Sequence, residues 1–255
     1  MAYIPVHGER IFYIHRAPAA THLPPVVLIH GAGGIHRHWL PEVQGVGAVT
    51  RAWALDLPGH GRSEGRGRDT IAGYVEVIRG LLDALSLDRA IIGGHSMGGA
   101  IAQMFALSCP DRCAGLILTA TGARLRVLPA ILDGLLSDFE ATVGLVGEYA
   151  YGPDTPPELL RLARQEMLRN DPQVFHDDFL ACDNFDVMDH LGEITAPTLI
   201  LCGTADRLTP PRYSQYLRER IAGSSLTFIE GAGHMVMLER PAEMNQAITR
   251  FLQAM

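Results

Sequence analysis

Ser96 stands inside Gly94-His95-Ser96-Met97-Gly98, a Gly-x-Ser-x-Gly pattern that can carry nucleophilic acyl transfer. The run before it, Arg89-Ala90-Ile91-Ile92-Gly93, is short and apolar and reads as a buried strand. Met97 to Leu107 reads as a helix with small residues at its start. A serine on so tight a strand-to-helix turn has a strained backbone. Its hydroxyl is carried above the sheet edge, and the next N–H points at the space where an oxyanion forms. The flanking glycines fit because a Cβ on either side would collide with neighbouring elements.

A serine hydroxyl is a poor nucleophile at neutral pH and needs a base and oxyanion donors. The chain has eleven histidines, so position decides among them. His234, in Glu230-Gly231-Ala232-Gly233-His234-Met235, follows the last predicted strand and is the expected base. A histidine base is lost on protonation, so activity is expected to fall at acid pH. Asp206 follows the apolar run Leu199-Ile200-Leu201 and is expected to orient His234 and stabilise its imidazolium. Thr209 then caps a helix opened by Pro210. The preceding strand ends in Thr119-Ala120-Thr121-Gly122, which offers no rival acid.

The second oxyanion donor is expected from His30-Gly31-Ala32-Gly33-Gly34, where glycines let backbone approach a ligand. The Ala32 and Met97 N–H groups are the two expected donors. This loop lacks the Lys-Ser/Thr of a phosphate-binding loop and the spaced glycines of a dinucleotide fingerprint, so no nucleotide cofactor is expected. His30, His36, His38, His60 and His95 have no carboxylate or cysteine at ligand spacing, so no metal is expected. His30 and His95 read as packed structural histidines, and His36 and His38 as neighbours of the pocket mouth.

These residues must hang on a frame. Short apolar runs alternate with helical stretches, the pattern of an α/β fold with a mostly parallel, doubly wound sheet. Strands are predicted at Glu9–Arg16, Val26–Ile29, Ala52–Leu55, Ile91–Ile92, Gly115–Leu118, Thr198–Leu201 and Leu226–Ile229. Helices are predicted at Ile71–Leu85, Met97–Leu107, Pro210–Ile221 and Pro241–Leu252. From 122 to 196 the pattern is helical without a convincing strand. Leu128, Ile131, Leu132, Leu135, Leu136 and Phe139 form an amphipathic stripe. Thr155-Pro156-Pro157-Glu158 reads as a capping box, and Asp171-Pro172 opens another helix. The expectation is a core of residues 1–121 and 197–255 with a helical cap over 122–196, because ligands bind outside the carboxyl ends of such strands.

Composition narrows the partners. The chain has 255 residues, enough for one sizeable core and an insertion. A formal net charge of −7 argues against nucleic acid, whose phosphates need a basic face. Arg62, Arg66 and Arg68 read as solvated. No apolar run approaches the ~20 residues that span a bilayer, so no membrane partner is expected. The first residues lack a basic start and long apolar core, and the four cysteines show no Cys-x-x-Cys spacing. Reduced thiols in a cytoplasmic protein are expected.

The order Ser96…Asp206…His234 resembles that of the α/β-hydrolase superfamily over nearly the whole chain. His30-Gly31-Ala32-Gly33-Gly34 resembles its oxyanion loop, and Asp56-Leu57-Pro58-Gly59-His60-Gly61-Arg62-Ser63 its turn after the next strand. Gly94-His95-Ser96-Met97-Gly98-Gly99 is similar to the elbow of small esterases, cofactor-free haloperoxidase-like members and some lactonases. Ser96 departs from the aspartate of haloalkane dehalogenases and epoxide hydrolases. Met97 departs from the tryptophan of prolyl aminopeptidases, and Gly31-Ala32-Gly33-Gly34 from the Gly-Pro-Gly loop of carbon–carbon bond hydrolases.

The resemblance implies a serine hydrolase acting on a small-molecule carboxylic ester, uncharged and of small to medium size. Carbon–carbon bond or enol-lactone hydrolysis by the same triad is the alternative, and a small-ligand receptor of the same fold is a third. Anionic substrates are expected to be poor unless Arg124 or Arg126 faces inward.

Overall fold

The computed structural model describes residues 2–255. Eight strands form one sheet: β1 (Ala2–Val6), β2 (Glu9–Arg16), β3 (Val26–Ile29), β4 (Ala52–Leu55), β5 (Ala90–His95), β6 (Cys113–Thr119), β7 (Thr198–Gly203) and β8 (Ser225–Ile229), in the order β1-β2-β4-β3-β5-β6-β7-β8. In sheet order the strands from β4 to β8 run parallel, and β2 is antiparallel to both its neighbours, β1 and β4. This is the α/β-hydrolase fold. β1 escaped the sequence reading. It pairs with β2 through His7-Gly8, both at positive φ (50° and 87°), the geometry of a tight hairpin turn.

β3, β4, β5 and β7 are buried along their whole length, so they lack the polar alternation of one-faced strands. Their side chains still point alternately to two faces. Val27, Ile29 and Ile92 pack with α2 (Ile71–Ala84) and α3 (Met97–Ser108). Val26, Leu28 and Ile91 pack in a second core with α1 (Leu40–Val46) and α10 (Pro241–Gln253). Helix α2 starts where the Thr70 hydroxyl accepts the Gly73 N–H, and it buries Ile71, Tyr74, Val75, Ile78, Leu81 and Leu82. β3 has β4 on one side and β5 on the other, so chain direction across the sheet switches at β3 and leaves a crevice at the strands' carboxyl ends.

Between β6 and β7 lie α4 (Pro129–Ser137), α5 (Phe139–Ala150), α6 (Pro157–Met167) and α7 (Pro172–Asp183). Two expectations here need correction. The stripe from Leu128 to Phe139 is broken at Asp138, whose side chain caps α5 through Ala141 N–H. Within it Leu135 is buried, whereas Leu128 and Leu136 are exposed. Thr155 is not an N-cap: α6 begins at Pro157, and the Thr155 hydroxyl donates to Glu239 at 2.8 Å. Outside this segment, Arg68 is not simply solvated, since it pairs with Glu9 at 2.7 Å. Asp171 does cap α7, accepting Gln173 N–H at 2.8 Å. The remaining helices are α8 (Pro211–Arg220) and the short α9 (Val236–Glu239). The four cysteines are unpaired, and among the described residues no helix is long and apolar enough to cross a membrane.

Glu42 in α1 is fully buried, and neither carboxyl oxygen has a hydrogen-bond partner. Burial pushes its pKa from 4.5 up to about 8. The folded chain therefore holds a proton that the unfolded chain has released, and stability falls as pH rises through that window. Glu42→Gln removes the titration. Its Tm relative to the native chain is expected to rise between about pH 5 and about pH 8.5. A Tm difference that stays flat across this range would show that Glu42 does not titrate there.

Candidate active site

Ser96 joins β5 to α3 with φ 52° and ψ −114°, a conformation side-chain-bearing residues rarely adopt. Both ends of the residue are tied down. Its N–H donates to Thr119 O at 3.0 Å, and its carbonyl accepts Gly99 N–H at 2.9 Å and the Thr121 hydroxyl at 2.8 Å. The glycines are obligatory for packing. A Cβ on Gly94 would lie 2.0 Å from Gly98 O, and one on Gly98 would lie 2.3 Å from Ile29 O.

Because β3 is hydrogen-bonded to β5, the loop after β3 lies beside Ser96. A Cβ on Gly31 would approach the Ser96 Cβ to 3.2 Å. Among the described residues no protein acceptor takes the N–H of Ala32 or of Met97. Two free donors thus flank the serine, which is what an incoming oxyanion needs.

His234 follows β8, and Asp206 follows the neighbouring β7. Both are almost fully buried. His234 Nδ1 lies 3.0 Å from Asp206 Oδ2, so the carboxylate assigns the proton to Nδ1 and leaves the Nε2 lone pair available. The remaining acceptor positions of Asp206 are filled as well. Oδ1 accepts the N–H groups of Leu208 and Thr209 at 2.9 Å, and Oδ2 accepts the Thr209 hydroxyl at 2.7 Å. Burial by itself would lift the Asp206 pKa. The His234 ring and the Thr209 hydrogen bonds outweigh it and hold the carboxyl below the usual aspartate range.

Thr209 corrects the sequence reading, since α8 starts at Pro211 without a side-chain cap. Its hydroxyl instead serves Asp206 and lies 3.2 Å from His234 Nδ1. The histidine loop is held from several sides. The His234 N–H donates to Ala150 O at 2.9 Å, and its carbonyl accepts His95 Nε2–H at 3.0 Å. Glu239 accepts the N–H of Gly233 and of Gly152, joining this loop to the segment before α6. Nothing in the local sequence marked Glu239 for that task.

The other histidines divide as follows. His30 and His95 are packed, as expected, and burial drives both pKa values well below the ordinary value. His36 is not at the mouth: it is buried and bonded to Asp56 at 2.8 Å. His38 does line the cavity, with Nε2 on Glu166 at 2.7 Å.

Ser96, His234 and Ala32 open on one cavity of about 380 Å³, whose far wall carries Val146, Met167 and Phe175 from α5, α6 and α7. Arg124 lies outside it, 3.7 Å from Asp186. Arg126 does line the cavity, and its guanidinium donates to Asp183 O at 2.9 Å. Arg207, also lining it, lies over the Tyr149 ring at 4.1 Å. The arrangement brings a serine hydroxyl, a histidine and two free N–H donors to one cavity that can hold a carbonyl compound and accommodate negative charge on its oxygen.

A model of the alpha/beta hydrolase family matches residues 26–247. Over 249 residues the chain is 27% identical to 2-hydroxy-6-oxo-6-phenylhexa-2,4-dienoate hydrolase of Comamonas testosteroni, covering 89% of this chain and 87% of that one. Over 244 residues it is 31% identical to pimeloyl-(acyl-carrier protein) methyl ester esterase of Neisseria meningitidis serogroup B, covering 88% and 91%. The enol-lactonase from Burkholderia xenovorans LB400 superposes with a TM-score of 0.92 at 25% identity, over 99% of this chain and 100% of that one.

Proposed function

The chain belongs to the alpha/beta hydrolase family, and on that premise we propose that it is a serine hydrolase cleaving carboxylic esters of small to medium substrates. The observation that carries this reading is the strained Ser96 between two free N–H donors, opening on the same apolar cavity as His234. Ser96 Oγ attacks the ester carbonyl while His234 Nε2 takes its proton. The oxyanion sits on the Ala32 and Met97 N–H groups. Collapse breaks the C–O bond, and His234 gives the proton to the leaving alcohol. Water then repeats the sequence on the acyl-enzyme and releases the acid. Asp206 keeps His234 in the productive tautomer throughout.

Segment 122–196 acts in this reading as a cap that sets substrate choice. A volume near the lower end of the roughly 300–1,000 Å³ of small-molecule sites supports a small to medium substrate. Arg126 and Arg207 bring two guanidinium groups to the wall, held by a backbone carbonyl and an aromatic ring, and these favour carboxylate-bearing substrates such as those of the second reading.

A second reading is favoured by two of the relatives, a dienoate hydrolase and an enol-lactonase, whose names describe carbon–carbon and lactone substrates. One experiment separates the two. Each methylene buried in an apolar wall adds ~0.8 kcal/mol, about fourfold in binding. Across aryl and alkyl esters, kcat/KM is expected to rise with acyl length until the cavity is full, then drop. A dienoate ring-cleavage product and an enol-lactone are assayed beside the esters. Turnover of either at more than about a hundredfold the best ester, some 2.7 kcal/mol in transition-state binding, replaces the esterase reading with the second.

A further inference from the structure

Asp178, on α7, is fully buried 145 residues away from the loop it touches. Three donors converge on its carboxylate: Gly33 N–H at 2.8 Å, His60 Nε2–H at 2.8 Å and the Tyr74 hydroxyl. The other nitrogen of His60 faces the Pro58 carbonyl at 3.0 Å. Both His60 nitrogens thus face acceptors, an arrangement that favours the doubly protonated ring beside Asp178. Burial would push His60 down, but the Asp178 charge and hydrogen bond raise it above the ordinary histidine value. A charge placed at such desolvation cost, with Gly33 N–H among its three partners, holds that peptide in one orientation.

Asn170, between α6 and α7, holds the other side of Gly33. Its Nδ2 donates to Gly33 O at 2.9 Å. That carbonyl belongs to the peptide carrying Gly34 N–H, which donates to Gly31 O at 3.0 Å. Gly31 O also accepts His30 Nδ1–H at 2.8 Å. The planar peptide of Gly31 O carries the Ala32 N–H on its opposite side. Three successive peptides are therefore pinned, two of them by residues of the helical segment. Phe175 seals the contact: a Cβ on Gly33 would lie 2.5 Å from its ring.

We propose that the helical segment clamps the oxyanion loop through Gly33, Asp178 holding its N–H and Asn170 its carbonyl, and so aims the Ala32 N–H at the reacting carbonyl. Asp178 and Asn170 are positioning residues that touch no substrate. The segment over the cavity is then part of the rate-determining apparatus and not only a wall for the acyl group. The inference rests on the serine-esterase reading and deepens it.

Its test compares the ground state with the oxyanion. An alkylboronic acid adds to a nucleophilic serine and places a charged oxygen in the hole, so its affinity follows donor alignment while KM for a neutral ester does not. Loss of a whole oxyanion donor costs about 10²–10³ in kcat, and a misaimed one less. Asp178→Ala is expected to lower kcat by about 10- to 100-fold and weaken boronate binding by a similar factor, with KM within about threefold. Asn170→Ala, at a half-buried site, is expected to show the same split at about fivefold. A merely structural role would lower Tm and leave both readouts alone.

Folded Asp178→Ala with kcat and boronate affinity within about threefold of the native chain overturns the clamp. Should that variant not fold, Asn170→Ala within about 1.5-fold on both readouts overturns it equally. Full turnover in Ser96→Ala, or no boronate inhibition of the native chain, removes the esterase reading and the clamp with it. That outcome is distinct from intact boronate binding in the clamp variants.

Discussion

Ser96→Ala is expected to lower kcat by about 10⁴-fold or more, as loss of a triad nucleophile does elsewhere. The residual rate reflects the two N–H donors and substrate binding, which the substitution leaves in place. Alanine carries the same Cβ, donates the same N–H to Thr119 O and accepts the same bonds from the Gly99 N–H and the Thr121 hydroxyl, so Tm should change little. A fluorophosphonate probe is expected to label the native chain and not the variant, since labelling needs the Oγ, the His234 base and the oxyanion donors together. Labelling that persists in Ser96→Ala would place the nucleophile elsewhere.

Asp206 and His234 are expected to act as one unit. Asp206→Asn keeps an oxygen for the Leu208 and Thr209 N–H groups, so the loop after β7 stays folded. It replaces the acceptor facing His234 Nδ1 with a donor and stabilises the wrong tautomer. A fall in kcat of about 10⁴-fold is expected. His234→Ala should cost at least as much, and the double variant should lie within about tenfold of His234→Ala alone, because a carboxylate with no histidine to orient has nothing left to contribute. The measurement is single-turnover kinetics on the three variants. A double variant that loses the product of the two single losses would show that the residues act independently.

What was legible in the sequence was what local sterics and periodicity dictate. The elbow at Ser96 follows from two glycines that no Cβ can replace, placed between an apolar strand and a small-residue helix start. Parallel strands buried on both faces show as continuous apolar runs, and their carboxyl ends gather the loops bearing Ala32, Ser96, Asp206 and His234 at one edge. The order of those loops needs no knowledge of contacts. Hydrogen bonds between distant segments leave no such mark. Thr155 and Thr209 each precede proline at a helix start, where a threonine ordinarily caps. Their hydroxyls instead go to Glu239, 84 residues on, and to Asp206 beside His234. Asp178, Asn170 and Glu239 carry no local pattern, because their partners arrive from α2, the β3 and β4 loops and the loop around His234 only when the chain closes. The sequence alone determined the elbow at Ser96 and the sheet edge where the candidate residues gather. Only the tertiary structure decided which buried polar groups hold them, since a polar side chain removed from water takes whatever partner the fold brings within hydrogen-bond reach.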